Sequence, residues 1–346
     1  MNIEEEIQIE DPNTYHGQRQ MIQNRNINFF SFLQNNEAAI HFLIEHELID
    51  IPACSACGAP TILSNFPGVM DKFSFRCPRK VCRNRMSVRR QFWDFAKIRI
   101  GEMVYLFFEC FLQEYTIKKI SRITGLHKST VMKAKRHFWR LLTEYYFHPH
   151  LFGQIGEEGA IVEYDESKFK RKYNLGRITR RGWVFGALER GRNGKKILIS
   201  IPNRNAATLE AVIREWVSLD SIMVITDEWR GYRGLNRRMG FTHHTVNHST
   251  NFVNPNPVNL QIPQRRPNRF GRFIRQPNRI MHIQVHTQGI EAYWSLVKKH
   301  FKRKGGVRLH NMQNHLNEIN WILQQDEGDL ADSLMTLIRI YNMDQE

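Results

Sequence analysis

The stretch 160-AIVEYD-165 begins a run of short, β-branched segments that decides the fold class of this sequence. Apolar runs of about four to eight residues, bounded by turn residues, are typical of β-strands. A helical pattern over about 206–218 interrupts the run. The other segments of the same kind are 182-GWVFGAL-188, 196-KILISI-201, 222-IMVITD-227 and 241-FTHHTV-246. Short strands mixed with helices predict an α/β domain.

Three carboxylates stand out by their predicted positions in this domain. Asp165 ends the first strand, Asp227 ends the fourth, and Glu291 opens a late helix in 286-HTQGIEAYWSLVKKHFKR-303. Such positions can meet at one edge of a sheet, where carboxylates repel one another and attract divalent cations. Two Mg²⁺ (or Mn²⁺) ions held there would support an in-line phosphoryl displacement.

A purely structural interpretation of the same acids stays open from spacing alone. Aspartate at a strand end is often a turn residue, and glutamate at a helix start is favoured by the helix dipole. Glu166 and Glu228 adjoin the two aspartates, and spacing does not choose between neighbours.

The late helix has a predicted apolar side and a basic one. Its core-facing residues are Ile290, Val297 and Phe301. Helical spacing places on a neighbouring face Glu291, Ser295, Lys298 and Lys302. Lys298 and Lys302 are therefore predicted to contact a DNA backbone beside the metal site.

Four of the five cysteines form two pairs, Cys54-x2-Cys57 and Cys77-x4-Cys82. Two such pairs suit a tetrahedral Zn²⁺ site, which would stabilise a segment too small to fold on its own core. Because four thiolates leave no open coordination position, we predict structural zinc rather than catalytic zinc. Cys110 lies in an apolar helical stretch and is assigned to the core.

Residues 115–142 predict a helix-turn-helix. Ile117, Ile120 and Ile123 set one amphipathic face, and Gly125 supplies a turn. Ser129 or Thr130 caps the second helix, whose apolar side carries Val131 and Phe138. The residues expected near DNA are His127, Lys128, Ser129, Lys133 and Arg136. A plain helical hairpin that links domains is the alternative.

The charge balance favours a polyanionic partner. The 346 residues carry 50 Lys+Arg against 34 Asp+Glu, a formal net charge of +16, and nucleic acid is the first candidate. The excess is concentrated: residues 168–196 hold eleven basic residues and one acid, and residues 251–310 hold twelve and one, Glu291. No apolar run is long enough to span a membrane, so we expect no membrane partner.

Residues 252–284 break the strand pattern with five prolines, six arginines and no acid. This composition predicts a long basic loop, either functional or disordered.

Four segments in order strongly resemble DDE transposases of the Merlin superfamily, which are similar to bacterial insertion-sequence transposases of the ISXO type. These segments are 162-VEYDESKFKRK-172, 225-ITDEWRGYRGL-235, 246-VNHSTNFVNP-255 and 286-HTQGIEAYWSLVKK-299. The resemblance spans about residues 50–325 and implies an RNase H-like domain, a mixed five-stranded sheet with flanking helices. By motif, Asp165, Asp227 and Glu291 match the metal-binding acids of the family.

The resemblance also implies an activity, partners and a location. The activity is metal-dependent excision at terminal inverted repeats and joining of the free 3′-hydroxyl to target DNA. The implied partners are both double-stranded DNAs and, because two ends must be brought together, further copies of the chain in a homodimer or larger assembly. The implied location is the nucleus in a eukaryote, and otherwise the cytoplasm in association with the nucleoid.

The sequence divides into five predicted segments. They are 1–50, an N-terminal arm and short helices; 51–92, a zinc-ribbon-like module; 93–150, the helix-turn-helix region; 159–325, the RNase H-like domain; and 326–346, a C-terminal helix or tail. The insertion 256–281 departs from the family, which usually passes from the third quoted motif to the fourth in a few residues. A DNA-contacting loop, a capture arm and drift in a decaying copy are the alternatives for it.

Two alternatives to a transposase remain. A host-recruited DNA-binding protein would use the zinc module and the helix-turn-helix, with vestigial catalysis. An RNase H-like nuclease would cut without joining. The presence of all three acids favours the transposase.

Overall fold

The computed structural model describes most of the chain. The described ranges are 27–147, 152–156, 159–169, 182–191, 194–221, 223–247, 257–267, 273–304, 307–325 and 330–345. The predicted arm over 1–26 and motif residues 248–255 lie outside these ranges.

The N-terminal part packs helices around a small antiparallel sheet. Its helices are α1 (Asn36–Glu45), α2 (Ile100–Tyr105), α3 (Ile117–Thr124) and α4 (Lys128–Leu141). π-helical stretches over Leu106–Phe111 and Leu142–Tyr146 extend α2 and α4. The sheet has the order β1-β2-β3, with β1 (Ile62–Asn65), β2 (Phe73–Arg76) and β3 (Arg85–Ser87).

A mixed five-stranded sheet forms the centre of the second part. Its strands are β4 (Ile161–Phe169), β5 (Gly182–Glu189), β6 (Lys196–Ile201), β7 (Met223–Asp227) and β8 (His243–Val246). The order is β6-β5-β4-β7-β8, antiparallel from β4 to β6 and parallel from β4 to β8. All five predicted strands are present, and this order confirms the RNase H-like fold.

Helices cover both faces of this sheet. They are α5 (Ala206–Trp216), α6 (Leu235–Met239), α7 (Gln288–Arg303) and α8 (Met312–Gln324). A further helix, α9 (Leu330–Asp344), follows α8 in the chain. One face packs against α5 and α6 through residues such as Tyr164, Leu209 and Leu235. The other face packs against α7 and α8 through residues such as Val184 and Trp294. The result is a three-layer α/β/α arrangement.

The last helix does not pack on the central sheet. Leu334 and Ile338 of α9 lie buried in the aromatic core of the N-terminal part. Asn342 fixes this position, because its Oδ1 accepts from the Phe92 N–H (3.1 Å) and its Nδ2 donates to the Leu48 carbonyl (2.9 Å). The five predicted segments stay predictions, and in the structure the first, second, third and fifth share this core, to which Trp321 of the fourth is added.

The predicted loop over 252–284 is wrong in its secondary structure. Residues Val258–Pro267 (β9) and Phe273–Ile283 (β10) pair as an antiparallel ribbon, with a register shift between Gln276 and Arg279. Proline is tolerated at strand ends, bulges and edges, and a two-stranded ribbon consists only of edges. We call β9 and β10 together the basic ribbon.

A buried ion cluster joins the two parts of the molecule. Glu318 of α8 is fully buried and accepts from Lys135 Nζ (3.0 Å), Lys304 Nζ (2.7 Å) and Trp139 Nε1 (2.7 Å). Burial opposes ionisation, but the two ammonium groups hold the pKa of Glu318 well below its usual range. Because Lys135 and Trp139 belong to α4, the cluster fixes the helix-turn-helix to α8 and to the end of α7, the two helices on one face of the central sheet.

We expect Glu318→Gln to lower the free energy of unfolding by about 3–5 kcal/mol, because buried Lys135 then loses its counter-charge. Urea unfolding followed by circular dichroism measures the change. The matched control is Glu144→Gln, which breaks an exposed pair with Arg140 (3.8 Å) and is expected to cost about 0.5 kcal/mol or less. Equal effects of the two substitutions would contradict the structural role of the cluster.

Among the described residues, no helix is both long enough and apolar enough to cross a membrane.

Candidate functional site

Asp165 does not end its strand, contrary to the prediction. It is the fifth residue of β4, which continues to Phe169 because β5 pairs with it along nearly its whole length. The parallel pairing of β4 with β7 stops earlier, at Glu163 opposite Ile225. Asp165 therefore lies two residues beyond the last pair of β4 with β7, as Asp227 lies two residues beyond Ile225.

Asp227 ends β7, as predicted. Its Oδ1 accepts the backbone N–H of Trp229 (2.9 Å), a turn that fixes the carboxylate at the strand end. Its neighbour Glu228 is exposed.

Glu291 lies in the first turn of α7, as predicted, and is half-buried. Ile290, Val297 and Phe301 are buried on the core side of this helix, which confirms its predicted orientation. One turn after Glu291, Trp294 donates its Nε1–H to Asp165 Oδ2 (2.9 Å). This bond ties the helix that carries Glu291 to the strand that carries Asp165. The sequence analysis assigned no role to Trp294.

The three predicted acids lie within electrostatic range of one another. Burial, together with the negative charges of Asp227 and Glu291, raises the pKa of Asp165 to about 6. Their oxygens do not form one tight cluster, however. In the described part of the chain, only the four cysteines have ligand atoms that all lie within 4.8 Å of one another. Two metal ions about 3.5–4 Å apart each need ligands, so the carboxylates of a two-ion site are spread over two positions instead of meeting at one point.

Glu166 lies on the opposite face of β4 from Asp165. Its Oε1 accepts a hydrogen bond from the Tyr232 hydroxyl, and its Oε2 lies 3.9 Å from Arg204 Nη1. Burial raises the pKa of Glu166 to about 8. Tyr232 occupies one of its oxygens inside the core, so Glu166 is a structural neighbour of the site rather than a replacement for Asp165.

Glu163 is a residue that the sequence analysis missed. Its carboxylate is buried, pairs with Arg190 Nε (2.7 Å), and accepts the backbone N–H of Ile290 (2.9 Å) at the start of α7. Thr287, which precedes α7, provides no side-chain cap, so Glu163 supplies the missing acceptor from another element. A Cβ at Gly289 would lie 2.9 Å from Glu163 Oε2, so only glycine fits there without displacement.

We expect Glu163→Ala to lower the free energy of unfolding by about 3 kcal/mol, since it leaves Arg190 and the Ile290 N–H without their partner. Glu163→Gln is expected to cost less, because its amide oxygen can still accept from Ile290. Urea unfolding measures both. Glu210→Ala, which breaks a more exposed pair with Arg238, is the control. Losses no larger than that of the control would disprove the capping role.

The four paired cysteines form the predicted cluster. The Sγ atoms of Cys54 and Cys82 lie 3.6 Å apart, as do those of Cys57 and Cys77. A tetrahedral site with Zn–S bonds of about 2.3 Å has S···S edges of about 3.8 Å, so this donor set fits zinc. Two of the thiols are buried and two are half-buried, which suits a closed structural site.

The predicted helix-turn-helix is present as α3, a left-handed Gly125 and α4. Two details differ from the prediction. His127, rather than Ser129 or Thr130, caps α4 by accepting the Ser129 N–H at Nδ1 (3.3 Å). Ile123 is exposed, because α3 is short and buries only Ile120 fully.

The residues predicted to contact DNA are all exposed. On α4, the side facing away from the core presents Lys128, Ser129, Lys133 and Arg136. On α7, Lys298 and Lys302 are exposed on the side away from the buried residues. These positions are accessible to a nucleic acid, and the contacts themselves stay predictions.

The match to a family model identifies the group to which this sequence is related. The model describes the ISXO2-like transposase domain and matches residues 150–322, half of the chain. The chain belongs to this family. The match includes the central sheet, the basic ribbon, α7 and most of α8, and it confirms the resemblance to ISXO-type transposases. The cysteine cluster and the helix-turn-helix lie outside the matched residues.

Two known proteins are similar to parts of this transposase-family chain. An uncharacterized transposase-like protein from Haemophilus influenzae is 29% identical over 134 residues, which cover 38% of this chain and 84% of that protein. The HTLV-2 integrase catalytic core domain, solved in complex with magnesium in a dimeric form, is 10% identical. It covers 53% of this chain and 98% of its own, with a TM-score of 0.28. Because that score is low, the fold assignment rests on the strand order.

Proposed function

We propose that this chain is a DNA transposase that cleaves DNA at element ends and transfers the strand into target DNA by two-metal phosphoryl transfer. The observation that carries the proposal is that Asp165 and Asp227 each lie two residues beyond the last pair of β4 and β7, Glu163 and Ile225. There burial and the negative charges of Asp227 and Glu291 raise the pKa of Asp165. Family membership supports the transposase class.

The proposed metal ligands are Asp165, Asp227 and Glu291. Bound Mg²⁺ or Mn²⁺ would activate the attacking oxygen and stabilise the leaving oxygen. In cleavage, water forms a bond to phosphorus and the bridging 3′ oxygen leaves as a hydroxyl. In joining, that 3′-hydroxyl attacks a phosphodiester of the target, so that one P–O bond forms as another breaks. The Trp294 bond to Asp165 holds one ligand in place throughout.

The DNA contacts in this proposal come from two helices. Lys128, Ser129, Lys133 and Arg136 of α4 would contact the element end, with Lys298 and Lys302 of α7 on the backbone near the metal ligands. Terminal inverted repeats and target DNA are the proposed substrates. A homodimer or larger assembly would hold two ends together, and the nucleus is the proposed location in a eukaryotic host.

A recruited DNA-binding protein is the second candidate. The exposed basic face of α4 and the cysteine cluster fit a DNA-binding protein as well as they fit a transposase, because neither feature requires catalysis. The cap that Glu163 provides for α7 supports the transposase, since it fixes the helix that carries Glu291.

The test is metal-dependent cleavage and joining on a duplex taken from the DNA that flanks the gene. We expect products only with Mg²⁺ or Mn²⁺, and joined products in addition to nicked ones. Nicks without joining would favour a nuclease. Binding without any product would favour the recruited DNA-binding protein.

A further inference from the structure

The basic ribbon begins and ends at the edge of the candidate active site. Val258 and Ile283, at its base, pack with Met223, Ile225 and Val246 of the central sheet. Val246 pairs with Asp227, and the chain leaving β10 enters α7 a few residues before Glu291. The base of the ribbon is therefore anchored next to two proposed metal ligands.

Beyond this base, the ribbon is a two-stranded element and not part of a larger sheet. Its strands are ten and eleven residues long, which corresponds to about 33 Å at about 3.3 Å per residue. In the described residues, β9 and β10 pair only with each other. An isolated ribbon of this kind is marginally stable in water, and a binding partner would stabilise it.

The charge of the ribbon is unfavourable without an anionic partner. Residues 251–290 contain six arginines and no lysine, aspartate or glutamate. The register places Arg265 directly opposite Arg275, so the two positions share one face of the ribbon. Like charges in such a pair destabilise a sheet, and phosphates would remove the repulsion.

We propose that the basic ribbon is an arm that lies in a groove of duplex DNA, with Arg265 and Arg275 contacting phosphates on either side. The major groove, about 12 Å wide, admits a two-stranded ribbon. The inference rests on the proposed function in that the bound duplex is the one presented to Asp227 and Glu291. It assigns a role as a DNA arm to β9 and β10, the described strands of this region.

The first test measures DNA affinity at several salt concentrations for the full chain. Arg265→Gln with Arg275→Gln keeps the ribbon and removes two charges, and the probe is a duplex from the DNA that flanks the gene. Losing two phosphate contacts should reduce the slope of log K against log salt by about 1.8. Arg265→Lys with Arg275→Lys keeps the charges and should retain the slope.

Two controls separate this effect from folding and from net charge. Lys97→Gln with Arg237→Gln removes two exposed charges elsewhere and should leave the slope unchanged. A ribbonless chain, with 260–281 replaced by Asn-Gly to form a tight turn, should bind with the same shallow slope as the double Gln variant or a shallower one. Circular dichroism checks that each variant is folded.

The outcomes distinguish this proposal from the proposed function, because binding is measured in EDTA-free buffer without Mg²⁺ or Mn²⁺. Unchanged slope and affinity in both ribbon variants would overturn the arm while leaving cleavage by the wild type intact. If the double Gln variant loses salt slope but the wild type never cleaves DNA, the DNA arm is supported and the proposed transposase function is overturned. A ribbonless chain that becomes monomeric with unchanged DNA affinity would show a contact between copies and overturn the arm.

Discussion

Asp165→Asn is expected to lower metal-dependent cleavage by about 10³-fold or more while leaving DNA affinity unchanged. The substitution replaces a charged metal ligand with a neutral amide, and about 4 kcal/mol of lost transition-state stabilisation corresponds to this factor. The amide oxygen can still accept from Trp294, so α7 should keep its place on β4. Cleavage of a labelled duplex, with binding measured separately, gives both quantities.

Glu291→Gln is expected to behave in the same way, because Glu291 is the proposed ligand from the helix. The matched control is Glu228→Gln, since Glu228 adjoins Asp227 but is exposed and is not a proposed ligand. Cleavage by this control should stay near the wild-type rate. Equal loss in Glu228→Gln and Glu291→Gln, or loss of DNA binding in Asp165→Asn, would contradict the assignment of the three acids.

Removal of zinc is expected to unfold residues 51–92 and to leave the central sheet folded. Structural zinc in small modules contributes about 10–16 kcal/mol of apparent binding energy, which β1–β3 cannot replace with their few buried side chains. Phe75 and Val88 pack against the N-terminal helices, whereas the cores on the two faces of the central sheet contain no residue of this segment. Limited proteolysis with and without a chelator, read by mass spectrometry, locates the cleavage sites.

Cysteine substitutions provide the control for this experiment. Cys77→Ala should produce the protease pattern of the chelated protein without any chelator. Cys110→Ala makes the same change at a buried cysteine of the π-helical stretch, outside the cluster, and should not. Collapse of the whole chain on chelation, or a pattern that zinc does not change, would refute the prediction.

Local patterns predicted most elements of the fold. The strand 196-KILISI-201 has the predicted bounds, and the late helix lies within the predicted stretch 286–303. Helix α5 ends two residues before the predicted end. The period of apolar residues records which side of an element is buried, and this information lies within a few neighbouring residues. The sequence analysis did not predict the basic ribbon, because its prolines and arginines interrupt that period. Its strands are defined by their backbone pairing with each other.

Patterns within the sequence predicted the α/β class, the cysteine cluster and the helix-turn-helix, which the structure contains, and four motifs predicted the family. The assignment of Asp165, Asp227 and Glu291 as metal ligands stays a prediction. Contacts between distant elements set three further features: β4 runs past Asp165, Glu163 caps α7, and α9 returns to the N-terminal core. The hydrogen-bonded residues Glu163 and Ile290 are 127 apart in the chain, and Phe92 and Asn342 are 250 apart. Such partners are chosen by packing between distant elements, and no local period of the sequence reports which of the many possible pairs the folded chain brings together.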